Sequence, residues 1–188
     1  MNRAAAVLIG GPPATGKSTL ARALAPELGA ALLDLDAATG PLTRVVSGLI
    51  GVRDLDDPAL AGLTRDARYD TLLDLAEANL RAGLPVVLVA PFRTERADPA
   101  AWAATAGRIA ADPVMVWLHL PAEELIRRLT RRALSRDENK IRDPASFLTG
   151  LDLEPPAVPH LALDAAQPAG TLVRSVLDHL ARLDHPAR

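Results

Sequence analysis

The sequence predicts an α/β fold, a three-layer domain with helices on both faces of a parallel sheet. Three observations carry this reading: five short apolar runs, amphipathic segments between them, and a glycine-rich turn joining the first run to the first helix. The 188 residues suit one such domain with a sizeable core, and no internal repeat or low-complexity linker marks a second.

The first run, Ala4 to Ile9, is a strand that feeds directly into Gly10. After the turn, Thr19 to Ala25 keeps its apolar residues on one face, which predicts a helix ended near Gly29. Ala31 to Asp36 reads as a short strand with two aspartates at its carboxyl end, where open parallel sheets hold ligands. Gly40-Pro41 marks a turn, Leu42 to Ile50 a short helix, and Arg53 to Pro58 a polar loop. A long helix follows from Pro58 to Arg81, stopped by Gly83 and Pro85. Leu84 to Ala90 is a continuous apolar run, as in a strand buried on both faces, with Phe92 to Arg96 as the loop at its end. Pro99 to Ala111 is a helix and Val114 to Leu120 the fourth strand. Pro121 to Arg132 is a basic helix with Glu123 and Glu124 near its positive end. Pro155, Pro156 and Pro159 stiffen the approach to a fifth strand, His160 to Asp164, and Gly170 to Leu183 closes the chain as a helix.

Composition narrows the function classes. A formal net charge of −2 and only 3% aromatic residues argue against a nucleic-acid partner. The absence of cysteine excludes disulfides, thiolate zinc sites and cysteine nucleophiles. The amino-terminal apolar run breaks after about six residues, shorter than a signal-peptide core. The run from Leu84 to Phe92 is too short to cross a bilayer. With 49% hydrophobic residues and a mean hydropathy of +0.12, the expectation is a soluble cytoplasmic protein with no membrane partner, its oligomeric state open.

The chemistry starts at the turn. Gly11-Pro12-Pro13-Ala14-Thr15-Gly16-Lys17-Ser18 satisfies G-x-x-x-x-G-K-[ST] in full, and Thr19 extends it into the helix. Glycines let consecutive N–H groups point inward as a nest for phosphate oxygens, and the helix N-terminus adds positive potential. Lys17 then reaches the β- and γ-phosphates, while Ser18 ligates magnesium. ATP and Mg2+ are the expected cofactors. Asp34 and Asp36, two apart at a strand end, share a face. One can take the proton of an attacking hydroxyl while the other orients magnesium-bound water, or the pair is a turn aspartate followed by a helix N-cap. From Arg127 to Lys140 the chain carries a dense basic run, either a solvated helix face or charge brought over a transferring phosphoryl group, with Arg132 and Arg136 the leading participants. Arg93 and Arg96 beyond the third strand fit either an anionic substrate or a solvated loop, and Arg44 and Tyr69 are further pocket candidates. The third strand lacks the terminal acid that many phosphate-loop NTPases use for magnesium, since Ala90-Pro91 stands there, and the Asp34/Asp36 pair is the evident substitute.

Through Gly11 to Thr19, Leu33-Asp34-Leu35-Asp36 and Arg128 to Lys140, the chain resembles the small P-loop kinases: shikimate and gluconate kinases, chloramphenicol phosphotransferase and zeta-toxin-like kinases. Thr39 to Leu42, Val89 to Phe92 and Arg136 to Lys140 are similar to bacterial ATP-binding proteins described as AAA family ATPases. The resemblance implies a P-loop NTPase fold over residues 1–188, a five-stranded parallel sheet in order 2-3-1-4-5, and a helical lid at about 128–144. It also implies transfer of the γ-phosphate of ATP to a hydroxyl of a small-molecule acceptor. Lys17, Asp36, Arg132 and Arg136 would be catalytic, with Asp36 as base. Residues 11–19 and Arg132 would hold the nucleotide, Ser18 and Asp34 the metal, and Asp36, Arg44 and Arg93 the acceptor. The alternatives are a nucleoside monophosphate kinase and a regulatory ATPase without an acceptor.

Overall fold

The computed structural model describes residues 5–55, 57–132 and 153–184. β1 (Ala6–Gly10), β2 (Ala31–Asp34), β3 (Val86–Val89), β4 (Val114–His119) and β5 (His160–Asp164) form one all-parallel sheet in the order β2-β3-β1-β4-β5. The helices are α1 (Lys17–Leu28), α2 (Leu35–Leu49), α3 (Pro58–Arg81), α4 (Arg93–Ala97), α5 (Pro99–Ile109), α6 (Ala122–Arg132) and α7 (Ala169–Asp184). Among the described residues no helix is long and apolar enough to cross a membrane.

The period-2 alternation of the strands divides the core in two. Val7 and Ile9 of β1, Val87 and Val89 of β3, and Val116 and Leu118 of β4 pack on one face with Leu20 and Leu24 of α1 and Val173 and Val176 of α7. Ala6 and Leu8, Val86 and Leu88, and Met115 pack on the other with Leu72 and Ala76 of α3 and Ile109 of α5. β1 lies in the middle and is buried along its whole length. The phosphate-loop turn therefore leaves from a central strand buried at every position. Helix stops fall where glycine permits a left-handed residue, at Gly29 (φ 58°) after α1 and Gly83 (φ 81°) after α3.

Two elements differ from the sequence-based expectation. β2 stops at Asp34, and a single helix, α2, runs from Leu35 to Leu49 straight through Gly40-Pro41. The Asp34 side chain caps it, accepting from the N–H groups of Asp36 (3.0 Å) and Ala37 (3.3 Å). Its buried stripe is Leu35, Thr39, Thr43 and Ser47, spaced four apart. Each of the first two hydroxyls donates to the carbonyl one turn back, Thr39 to Leu35 (2.6 Å) and Thr43 to Thr39 (2.9 Å), and the Ser47 hydroxyl donates to Val52. The expected helix from Leu42 to Ile50 is the second half of α2; its first half, behind Gly40-Pro41, escapes apolar periodicity because hydroxyls stand on its inward face. Packing on α3 holds it together across the proline, whose missing N–H costs about 3 kcal/mol in a helix interior. The second difference is α4, a short helix where a loop was expected. It starts from Phe92, whose backbone is left-handed (φ 47°) and whose ring is fully buried.

Arg96, in α4, is buried as well. Its Nη1 donates to the Glu154 carbonyl (2.8 Å), its guanidinium carbon sits 4.8 Å from the Trp117 ring centroid, and its own carbonyl accepts from Ala157 N (2.8 Å). This arginine fastens the proline-rich approach to β5 onto β4, and so is a structural residue. Arg96→Met keeps most of the volume but removes the donor and the ring contact. It is expected to lower stability by about 2–3 kcal/mol, read as the urea midpoint, with Arg96→Lys failing to restore it because the planar fork is lost.

Candidate active site

The turn after β1 is shaped by its backbone. Gly11 has φ 144°, and a Cβ there would come 2.5 Å from the Leu118 carbonyl, so only glycine lets the chain pass β4. Ala14 (φ 62°) and Gly16 (φ 89°) are left-handed, and Gly16 is the N-cap of α1, its carbonyl receiving Thr19 N (3.0 Å) and Leu20 N (2.9 Å). The buried Thr15 hydroxyl donates to Pro12 O (2.8 Å) and ties the turn across its neck. Lys17 folds back over the turn, its Nζ donating to Gly11 O (2.9 Å) and Pro12 O (2.8 Å). The positive end of α1 and an ammonium thus converge on one concave backbone surface, the arrangement that accepts polyphosphate.

Ser18, in the first turn of α1, donates its hydroxyl to Asp34 Oδ2 at 2.8 Å. Register places Asp34 beside Val89 of β3, one residue before Ala90, so a carboxylate of β2 stands next to the strand end that lacks an acid. A hydroxyl and a carboxylate oxygen are hard donors that fit a divalent cation such as Mg2+. Beside the pair a groove of ≈ 580 Å³ opens between α1 and the start of α2, lined by Arg22, Leu32, Leu33 and residues 36–38 as well.

Asp36 is not on the strand. It lies in the first turn of α2, so the expectation that the two aspartates share a strand face is corrected: the cap formed by Asp34 ends the strand and starts a helix between them. The exposed Asp36 carboxylate is paired with Arg68 of α3, Nη2 to Oδ1 at 2.6 Å, and Arg68 Nε also donates to Thr39 Oγ1 (2.8 Å). Arg68 belongs to a face of α3 with Arg65 and Tyr69, at i, i+3 and i+4. Arg65 Nη2 donates to Thr94 Oγ1 (2.8 Å), and Tyr69 Oη accepts from Phe92 N (3.0 Å) while its ring meets Phe92 edge-on (6.2 Å, 81°). Burial pushes the Tyr69 phenol up to about 12, and the nearby Glu95 carboxylate adds to this, against the Phe92 amide and the charges of Arg65 and Arg93. Burial likewise raises Glu95, opposed by its own backbone N–H and by Arg65.

The remaining expected residues are scattered. Arg93 is exposed at the first position of α4, and Arg44 is exposed on α2, with its Nη1 lying toward Gly40 one turn back. Arg128, expected to begin the lid, is fixed to the body: Nε donates to Glu124 Oε1 (3.1 Å) and Nη2 to Ala165 O (2.9 Å). Arg132 is the last residue of α6, whereas Arg136, Lys140 and the rest of the expected lid lie outside the described residues. Sequence reading missed Arg65, Arg68 and Glu95. The only signal for the arginines was their spacing with Tyr69, opposite a strand end.

A family model described as an AAA domain matches residues 7–152. No curated protein matches by sequence. Among solved structures, a gluconokinase from Sinorhizobium meliloti 1021 is 22% identical with a TM-score of 0.61, the alignment covering 97% of this chain and 95% of that one. An APS kinase from Mycobacterium tuberculosis, in complex with AMPPNP and APS, is 19% identical with a TM-score of 0.64, covering 95% and 98%. A shikimate kinase from Aquifex aeolicus is 17% identical with a TM-score of 0.55, covering 96% and 99%. At these identities the likeness establishes a shared fold.

Tyr69 is the one tyrosine in the chain, so its ionisation can be followed by tyrosinate absorbance without overlap. It should titrate near pH 12 rather than near 10. Between those values the unfolded chain has lost the proton that the folded chain keeps, so stability should fall as pH rises through that window. A titration near 10 in folded protein would contradict the buried, Glu95-flanked phenol.

Proposed function

The chain belongs to the AAA domain family, whose model spans residues 7–152, and from that premise we propose that it is an ATP- and magnesium-dependent kinase acting on a hydroxyl of a small molecule. One observation carries the reading. Asp34 and Asp36, two residues apart across the β2–α2 junction, join a phosphate-side residue to an acceptor-side residue: Asp34 meets Ser18 of the phosphate turn, and Asp36 meets Arg68 of α3. A site for one substrate has no need of both. The kinases named above, which share the fold over nearly the whole chain, support the same reading.

In this reading the turn amides and Lys17 hold the β- and γ-phosphates, Lys17 exchanging the carbonyls of Gly11 and Pro12 for phosphate oxygens. Ser18 and Asp34 hold the magnesium ion, which supplies charge neutralisation across the phosphates. The acceptor hydroxyl attacks the γ-phosphorus, the bond to the β–γ bridging oxygen breaks, and ADP leaves. The hydroxyl proton passes to the Asp36 carboxylate, which Arg68 aims by pairing with one of its oxygens. Arg132 at the end of α6 and Arg136 beyond it are assigned to the charge developing on the transferring group, and Arg93 and Arg44 to the acceptor.

A metabolite library read by coupled ADP release, with Lys17→Ala as the blank, identifies the acceptor. Asp36→Asn should then keep ATP affinity within about twofold while turnover falls by at least about 100-fold. Unchanged turnover on that acceptor would remove Asp36 from the base role.

A further inference from the structure

Four hydroxyls are buried on the two packed helices α2 and α3: Thr39, Thr43, Ser47 and Thr64. Each donates to a backbone carbonyl, Thr39 to Leu35, Thr43 to Thr39, Ser47 to Val52 and Thr64 to Leu60. That bond spends the proton and leaves the lone pairs of the oxygen. Of the four, Thr39 alone also accepts from a side chain, Nε of Arg68 at 2.8 Å. Three of the hydroxyls close turns of backbone, and the fourth is tied to the site.

Arginine presents Nε–H and one Nη–H side by side on a single planar edge. Arg68 lays that edge along α2, with Nε on Thr39 and Nη2 on Asp36 Oδ1 at 2.6 Å. The two partners are three residues apart and so share a face of the helix. Their surroundings differ. Thr39 is 4% exposed, the Arg68 side chain 22% and the Asp36 side chain 63%, so the contact runs from the interior out to the groove. Its inner end is fixed, since the bond from Thr39 to Leu35 O at 2.6 Å selects one of the two rotamers a helical threonine adopts. An arginine held by the exposed carboxylate alone would be a surface ion pair, which orders its partners little. Held at Nε as well, the guanidinium plane fixes the direction in which Nη2 points, and Asp36 stands there. We propose that Thr39 is a positioning residue, which sets the direction of the Asp36 carboxylate through Arg68 without touching a substrate. The task of Asp36 as base rests on the kinase reading, and the aim rests on the three hydrogen bonds.

Thr39→Val keeps the shape of the side chain and removes the lone pairs. On the acceptor that the metabolite library identifies, it should lower kcat about 10- to 100-fold with KM for ATP within about twofold. Thr39→Ser, which keeps the hydroxyl, should return kcat to within about threefold of wild type. Arg68→Met should also fall, and the double variant no further than Arg68→Met alone, because the two residues act as one unit. Thr43→Val removes a buried hydroxyl of the same helix that carries no arginine, and should keep kcat within about twofold. Thr39→Ala serves the same comparisons should Thr39→Val not fold. An unchanged kcat in Thr39→Val overturns the proposal. So does an equal loss in Thr39→Ser or in Thr43→Val, which marks packing of α2 rather than aim. The carboxyl 13C signal of Asp36, assigned by its disappearance in Asp36→Asn, is read in parallel and needs no reaction. It should move in Thr39→Val and Arg68→Met and hold its place in Thr39→Ser and Thr43→Val. A signal unmoved in Thr39→Val overturns the proposal even where kcat falls. If no compound releases ADP, that signal decides alone: moved as expected, the aim stands and the kinase reading falls, and unmoved, the proposal falls.

Discussion

The Asp34 carboxylate bridges the first turns of two helices. Its Oδ2 receives the Ser18 hydroxyl from the first turn of α1, and its Oδ1 receives two backbone N–H groups from the first turn of α2. A single side chain thus fixes the angle between the helix that carries the phosphate turn and the helix that carries Asp36. Because Asp34 is also the last residue of β2, the junction is anchored in the sheet through its register with β3. Asp34 thereby sets how far the Ser18 hydroxyl stands from Asp36 and which residues of α3 can reach Asp36.

The sheet was legible in the sequence because its signal is local. Val86 to Val89 and Ala6 to Gly10 are apolar on both faces, and nothing but a buried parallel strand reads that way at such length. The phosphate turn was legible for a related reason, since backbone geometry alone demands glycine at Gly11 and Gly16. The second half of α2 was legible as Leu42 to Ile50, and its first half was hidden because Gly40-Pro41 reads as a turn and the buried stripe reads as polar. The contacts of α3 with α2 and α4 were hidden for a deeper reason. Arg68 meets Asp36 across 32 positions, and Arg65 meets Thr94 across 29, so neither pair exists until α3 is laid beside α2 and the end of β3. Arg93 and Arg96 illustrate the limit: three residues apart in one short helix, one is exposed and the other is buried under Trp117.

The two halves of the site also differ in how they are held. The phosphate side is a matter of backbone, with carbonyls and amides set by left-handed residues and a fully buried strand. The side formed by α2, α3 and α4 is a matter of side chains: guanidinium to carboxylate, guanidinium to hydroxyl, phenol to amide. Backbone arrangements survive substitution of almost any residue around them, and side-chain arrangements do not. That division matches the chemistry, since the donor phosphates present the same oxygens to every kinase and the acceptor does not.

The hydroxyl stripe of α2 carries that division one step further. Thr39, Thr43 and Ser47 satisfy themselves on nearby carbonyls, and of the buried residues of α2 only Leu35 belongs to a core cluster of the sheet. Substitutions along α2 therefore draw little on the stability of the sheet, and a lineage can drift there at nearly constant fold. Side chains on α2 can thus change while the sheet that carries the phosphate turn stays as it is.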